Sequence, residues 1–252
     1  MNIPNPLNTY QANDTLLKDR IILVTGAGDG IGAAVAKDCA AKGATVILLG
    51  RTVKKLEKVY DDIIQAGHPE PAIYPLDLLQ AREDQYIQLG EIIEKEFGKL
   101  DGLVHNAGLL AGLIPLANHT SEQWVKIMQV NLYAPYLMTQ ACLPLLKKSD
   151  DASIIFVSSS VGRQGRAYWG AYGVSKAACE NLMQTLADEV ENNTNIRVNS
   201  LNPGATRTAM RRIAFPGEDP NTLPKPADIA PAFLFLLGPD SKGINGQQLD
   251  AQ

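Results

Sequence analysis

The chain has 252 residues, of which 45% are hydrophobic and 20% charged, so it can bury one sizeable core without disulfides or a structural metal. Its net charge of −4 argues against a nucleic-acid-binding protein, which would carry a basic face. The three cysteines fit no metal pattern, and their odd number without a secretory signal predicts a reducing, cytoplasmic location. No apolar run approaches the roughly 18 residues that a membrane helix needs, so we expect no membrane partner.

Residues 1–17 are polar and contain two prolines, so we expect an N-terminal arm outside the core. From 18 to 252, strand-like and helix-like patterns alternate without a linker, which predicts one domain. The predicted strands are 21–24, 45–49, 72–76, 103–105, 153–157, 196–201 and 247–249. The predicted helices are 31–42, 52–66, 81–97, 121–147, 172–192 and 226–238, with Ser121 as the N-cap of the long fourth helix.

The predicted strands are apolar almost throughout, which is typical of a parallel sheet covered by helices on both faces. The fold class we predict is therefore α/β: a single-domain, Rossmann-type, doubly wound parallel sheet of about seven strands. Such a sheet binds its ligands at the carboxyl ends of the strands.

A glycine-rich turn lies between the first strand and the first helix. It consists of Thr25-Gly26-Ala27-Gly28-Asp29-Gly30-Ile31-Gly32. Glycines let the backbone approach a pyrophosphate, and the helix N-terminus offers N–H groups and partial positive charge. The turn in this context predicts dinucleotide binding; a purely structural turn is the alternative.

The end of the second strand bears on the choice between NAD and NADP, because an acidic residue there holds the ribose 2′-hydroxyl of NAD. This chain has Gly50 followed by Arg51, and a guanidinium can bind a 2′-phosphate bidentately. We therefore predict NADP(H) as the preferred cofactor, with NAD(H) as the alternative. Asp29 opposes this choice by charge, and Arg51 could instead be a solvated residue at a helix start.

Polar residues at strand ends form a candidate catalytic set. Tyr172 and Lys176 are four residues apart on a predicted helix and share one face. Ser158-Ser159-Ser160 ends the fifth strand, Asn106-Ala107-Gly108 ends the fourth, and Asn131 lies in an apolar stretch of the long helix. The alternatives are a surface Tyr–Lys pair, a serine that bonds a strand end, and a satisfied buried amide.

With these features in order, the chain resembles the short-chain dehydrogenase/reductase family over nearly all of residues 18–252. The glycine-rich turn, Asn106-Ala107-Gly108, Asn131, the serine run, Tyr172-Gly173-Val174-Ser175-Lys176 and Pro203-Gly204 carry the resemblance. Three segments look closer still to a bacterial YciK-like subgroup of oxidoreductases, which implies no substrate. They are 158–166, 169–172 and 207–210.

The resemblance implies an enzyme that moves a hydride between nicotinamide and a small-molecule carbonyl or alcohol substrate. Tyr172 would be the general acid or base, Lys176 would bind the nicotinamide ribose and stabilise the tyrosinate, Ser159 would hold the substrate oxygen, and Asn131 would hold a water. It implies that the cofactor contacts Gly26, Asp29, Gly30, Ile31, Arg51, Asp77, Leu78, Asn106, Ala107, Gly108, Tyr172, Lys176, Pro203, Gly204, Thr206 and Thr208. No metal site is predicted.

Free tyrosine has a pKa near 10, and a cation within about 4–6 Å favours its phenolate. This is why a lysine is needed beside the tyrosine. His105, before Asn106, is more simply a packed neutral histidine than an acid. The alternative function is a non-catalytic dinucleotide-binding sensor or scaffold of the same fold.

Residues 208–225 are expected to cover the active site and, with the apolar stretch 109–116, to leave a modest, largely apolar pocket. Four arginines raise the hypothesis of an anionic substrate: Arg163, Arg166, Arg211 and Arg212. The family resemblance further implies that the helices 121–147 and 172–192 pack against another subunit. We therefore expect a homodimer or homotetramer.

Overall fold

A computed structural model describes residues 6–252. It contains a seven-stranded, fully parallel sheet with the strand order β3-β2-β1-β4-β5-β6-β7. The strands are β1 (Ile21–Thr25), β2 (Thr45–Gly50), β3 (Ala72–Pro75), β4 (Gly102–His105), β5 (Ala152–Val157), β6 (Ile196–Asn202) and β7 (Gln248–Asp250). The predicted fold class is confirmed.

Nine α-helices connect or flank these strands in the described residues. They are α1 (Gly30–Ala41), α2 (Val53–Gln65), α3 (Glu83–Phe97), α4 (Ser121–Met128), α5 (Ala134–Leu146), α6 (Ser160–Arg163), α7 (Gly170–Glu191), α8 (Ala209–Ala214) and α9 (Pro226–Leu237). None of the helices in residues 6–252 combines the length and apolar character needed to cross a membrane.

The core consists of two apolar layers, one on each face of the sheet. Val24 of β1 packs into the layer formed with α1, α2 and α9. Its neighbour Leu23 packs into the opposite layer with α3, α5 and α7. Successive strand residues point to opposite faces, so a strand covered by helices on both sides is apolar at most positions. This explains the continuous apolar runs.

The chain reverses its direction of winding at β1, which pairs with β2 on one side and with β4 on the other. A crevice opens outside the carboxyl ends of strands at such a switch point. Thr25 and His105 end the two strands there. The glycine-rich turn and Asn106-Ala107-Gly108 therefore meet at one edge of the sheet.

The expectation that residues 1–17 lie outside the core was wrong for the described part, 6–17. Leu7, Leu16 and Leu17 are buried in the layer of α1 and α9, and the Leu17 N–H donates to the Lys42 carbonyl at 2.9 Å. The segment is polar on average, but these three leucines are apolar and pack into the core. The average composition of the segment therefore gave the wrong expectation. Residues 1–5 lie outside the described residues.

The predicted helix 121–147 is interrupted. One turn of π-helix, Gln129–Tyr133, separates α4 from α5, and such turns are frequent at functional sites. The N-cap is Thr120 instead of Ser121. The Thr120 hydroxyl accepts from the Gln123 N–H at 3.1 Å, and Gln123 Oε1 accepts from the Thr120 N–H at 3.3 Å. This reciprocal pair is a capping box, which the choice of Ser121 missed.

Candidate active site

A cleft of about 580 Å³ runs along the carboxyl ends of the strands at the switch point. The predicted site residues line it, with one exception: Asn131 is buried behind the wall. The cleft also receives residues from the segment 206–214, which covers one end and contains the unpredicted helix α8. Nearly all of the predicted residues are therefore brought together.

The glycine-rich turn forms a tight cradle at one wall of the cleft. Gly26 and Gly30 have φ of +67° and +55°, a region that favours glycine. A Cβ on Gly32 would lie 2.3 Å from the Gly26 carbonyl oxygen, so this position has no room for a side chain. The N-terminus of α1 opens beside this bare backbone, which suits the pyrophosphate of a dinucleotide.

The wall of the cleft beside the end of β2 contains an ion pair that the sequence alone did not predict. Lys55 Nζ lies 2.6 Å from an Asp29 carboxylate oxygen, and this hydrogen bond lowers the pKa of Asp29. Both residues line the cleft together with Arg51. The Asp29 charge that opposed a 2′-phosphate is therefore balanced by Lys55. A lysine pair on a helix, such as Lys54-Lys55, is usually exposed to solvent, so the sequence gives no functional signal at this position.

Tyr172 and Lys176 are both buried, with 7% and 4% of their surfaces exposed. The alternative of a Tyr–Lys pair on the protein surface is therefore wrong. Lys176 Nζ donates to the Val157 carbonyl at 2.7 Å and lies 5.8 Å from the centroid of the Tyr172 ring. A Cβ on Gly162 would lie 2.8 Å from Lys176 Cβ. Glycine at 162 thus lets α6 pack closely against the lysine.

The serine run divides into three environments. Ser158 is buried, and its hydroxyl has no hydrogen-bond partner among the described residues. Ser159 lines the cleft at the N-cap of α6, whereas Ser160 is exposed. Two serine hydroxyls therefore border the cleft near Tyr172, and the choice of Ser159 remains a prediction from family spacing.

Asn131 lies in the π-helical turn with 1% of its surface exposed. Its Oδ1 accepts from the Leu109 N–H at 2.7 Å, and its Nδ2 donates to the Leu109 carbonyl and to Ser175 Oγ, each at 3.0 Å. The Asn131 side chain therefore connects the loop after β4 to α7. It is a buried amide with its hydrogen bonds satisfied, which was the alternative to a catalytic role. The water-holding role stays a prediction.

His105 is a packed neutral histidine, as expected. Its Nε2 lies 2.8 Å from Thr139 Oγ1, and its ring packs 4.6 Å from that of Phe156, centroid to centroid. Burial, and secondarily the Lys176 charge, lowers the pKa of His105 to about 3. It therefore cannot exchange protons near neutral pH.

The four arginines do not form an anion site. Arg163 binds Asp250 at 2.8 Å, and neither Arg166 nor Arg212 lines the cleft. Arg211 lines it, but its guanidinium is held by both carboxylate oxygens of Glu218. Residues 6–252 also hold no group of three or more His, Cys, Asp or Glu side chains suited to a metal ion.

Comparison with known proteins gives consistent matches. A family model described as short chain dehydrogenase matches residues 20–219. The uncharacterized oxidoreductase YciK of Escherichia coli (strain K12) is 51% identical over 243 residues, 96% of this chain and 96% of that protein. The structure of a short chain dehydrogenase from Pseudomonas syringae is 57% identical, with a TM-score of 0.95, and the match covers 96% of this chain and 98% of that one.

A second solved structure, a short chain dehydrogenase from Escherichia coli CFT073 complexed with NADPH, is 51% identical with a TM-score of 0.93. The match covers 96% of this chain and 100% of that one. The family model, the near full-length identity and the agreement of folds lead to one conclusion. This chain belongs to the short-chain dehydrogenase/reductase family, whose members are oxidoreductases acting on CH–OH or carbonyl groups.

Proposed function

We propose that this protein is an NADP(H)-dependent oxidoreductase that interconverts a small carbonyl compound and its alcohol, with Tyr172 as general acid and base. One observation carries the proposal: a buried lysine ammonium lies 5.8 Å from the ring of Tyr172 in the same cleft as the glycine cradle. A positive charge at this distance stabilises negative charge on the phenol oxygen.

The glycine turn, Asp77 and Thr208 would hold the dinucleotide along the cleft, since all of them line it. When bound, NADPH supplies a hydride, chemistry that no side chain provides. In the reductive direction Tyr172 would give its proton to the carbonyl oxygen as the carbonyl carbon is reduced, so that aldehyde or ketone, NADPH and a proton would give alcohol and NADP⁺. Ser159 would hold the oxygen, and Lys176 stabilises the tyrosinate. A positioned acid contributes about 10²- to 10⁴-fold.

The choice of NADP(H) rests on Arg51 and Lys55. Both line the cleft at the end of β2, Lys55 counters Asp29, and a similar short chain dehydrogenase was solved with NADPH. Arg51→Ala should weaken NADPH binding about 10- to 100-fold, as for a lost charged hydrogen bond, and leave NADH binding nearly unchanged in calorimetry. Lys54→Ala is the matched control, because Lys54 is exposed and does not line the cleft.

The proposal is tested by NADPH oxidation over a panel of aldehydes, ketones and quinones, with the Tyr172→Phe protein as the blank. Turnover should be lost in Tyr172→Phe while calorimetry gives an unchanged affinity for NADPH. Tyr168→Phe is the control, since that tyrosine is exposed and outside the cleft. NADPH binding without turnover of any carbonyl compound would instead indicate a dinucleotide sensor of the same fold.

A further inference from the structure

The end of the cleft next to Tyr172 is bounded by a small apolar cluster separate from the two main core layers. This cluster includes Leu110, Trp169, Tyr172, Met210 and Phe215. The ring centroid of Trp169 lies 5.6 Å from that of Tyr172 and 6.1 Å from that of Phe215. Trp169 is half-buried and lines the cleft. An indole therefore borders the space beside the proposed proton donor.

The charges around this space are already paired or bonded. Arg211 contacts Glu218 through Nε at 2.6 Å and through a terminal nitrogen at 2.7 Å, and its guanidinium lies 3.9 Å from the centre of the Phe215 ring. Lys176 donates to the Val157 carbonyl. Among the described residues that line this end of the cleft, these two carry the positive charges. A substrate carboxylate would have to be desolvated without a free partner, which is costly.

We propose that the substrate is an uncharged carbonyl compound with an aromatic ring next to the carbonyl carbon, and that Trp169 selects it. The inference rests on the proposed function, because the carbonyl oxygen must reach Tyr172 for the ring to lie against the neighbouring indole. Aromatic pairs in offset or edge-to-face arrangements gain affinity beyond that of their buried area. A puckered aliphatic ring of the same size lacks this gain.

Three aldehydes test the proposal with NADPH: benzaldehyde, cyclohexanecarboxaldehyde, which has a ring of the same number of carbons, and 4-carboxybenzaldehyde, which adds a carboxylate. We expect kcat/KM for benzaldehyde to exceed that for the cyclohexyl compound about 2- to 10-fold, the worth of an aromatic pair. It should exceed that for the carboxylate more than about 100-fold, given the cost of burying an unpaired charge. Trp169→Leu should abolish the preference for benzaldehyde over the cyclohexyl compound, and Trp169→Phe should retain it.

Trp124→Leu is the matched control, because this second tryptophan does not line the cleft; its selectivity should equal that of the wild type. Equal or better use of the carboxylate, or a benzaldehyde preference that survives in Trp169→Leu, overturns the proposal. In either case the enzyme still reduces a carbonyl compound, so the proposed function is retained and only the proposed selectivity fails.

Binding is measured separately in the Trp124→Phe protein, where Trp169 is the sole tryptophan of the chain. Benzaldehyde added to the NADPH complex should change the tryptophan fluorescence saturably, and 4-carboxybenzaldehyde should not at the same concentration. If this binding is seen without turnover, the proposed function fails and the ligand preference stands. If neither binding nor turnover is seen, both fail.

Discussion

The buried histidine at the end of β4 makes the stability of the protein depend on pH in a way that can be calculated. His105 is 4% exposed, and burial lowers its pKa from 6.5 to about 3. Below pH 6.5 the unfolded chain therefore binds a proton that the folded protein excludes. This contribution to stability is complete above about pH 6.5 and is lost as the pH falls towards 3.

The magnitude follows from the gap between the two pKa values. Each pH unit within the gap costs about 1.4 kcal/mol. Between pH 7.5 and pH 5.0 the histidine should therefore remove about 2 kcal/mol from the free energy of unfolding. In His105→Gln, an amide can still bond Thr139 but cannot titrate, so this part of the pH dependence should disappear.

Urea unfolding followed by circular dichroism at both pH values and one protein concentration measures the effect. The quantity compared is the fall in the free energy of unfolding from pH 7.5 to pH 5.0, which should be about 2 kcal/mol smaller in His105→Gln than in the wild type. His68→Gln, which removes a half-buried histidine from the loop before β3, controls for the loss of one histidine. Equal falls in His105→Gln and the wild type would refute the account of His105.

Two further predictions concern the turn and the assembly. Gly32→Ala should weaken NADPH binding in calorimetry more than about 10-fold, because its Cβ would lie 2.3 Å from the Gly26 carbonyl oxygen and the cradle must open. Gly67→Ala is the control, because φ is +74° at Gly67 and nothing lies within 4 Å of the added Cβ. The free energy of unfolding should fall by about 1–2 kcal/mol, and the affinity for NADPH should not change. Light scattering should give twice or four times the 27.2 kDa of one chain, since Val125 on α4 is 65% exposed and Val174 on α7 is 47% exposed. A single-chain mass at all concentrations would contradict this.

The sheet could be predicted almost residue by residue because its physical signal is local. A strand buried on both faces is apolar at most positions, and glycine or polar residues end most of these runs. The prediction 45–49 thus agrees with β2, Thr45–Gly50. The seven strands and their parallel pairing also agreed with the predicted doubly wound sheet.

The failures came where a structure depends on contacts distant in sequence. Arg163 looked like a substrate-binding cation, but its partner Asp250 is 87 residues away. The π-helical turn that contains Asn131 could not be predicted, because the spacing of apolar residues does not distinguish it from a continuous α-helix. Lys55 acquired its significance only when α2 brought it against Asp29. Patterns along the chain therefore predicted the residues that line the cleft better than the partners of those residues.

The most direct test of the central claim is a single turnover of the enzyme already loaded with NADPH. The decay of NADPH absorbance on mixing with a carbonyl substrate should slow about 10²- to 10⁴-fold in Tyr172→Phe, with the affinity for NADPH unchanged. It should slow again when the transferred hydrogen is deuterium. A Tyr172→Phe protein that oxidises NADPH at the wild-type rate would contradict the claim that this phenol, beside Lys176, supplies the proton.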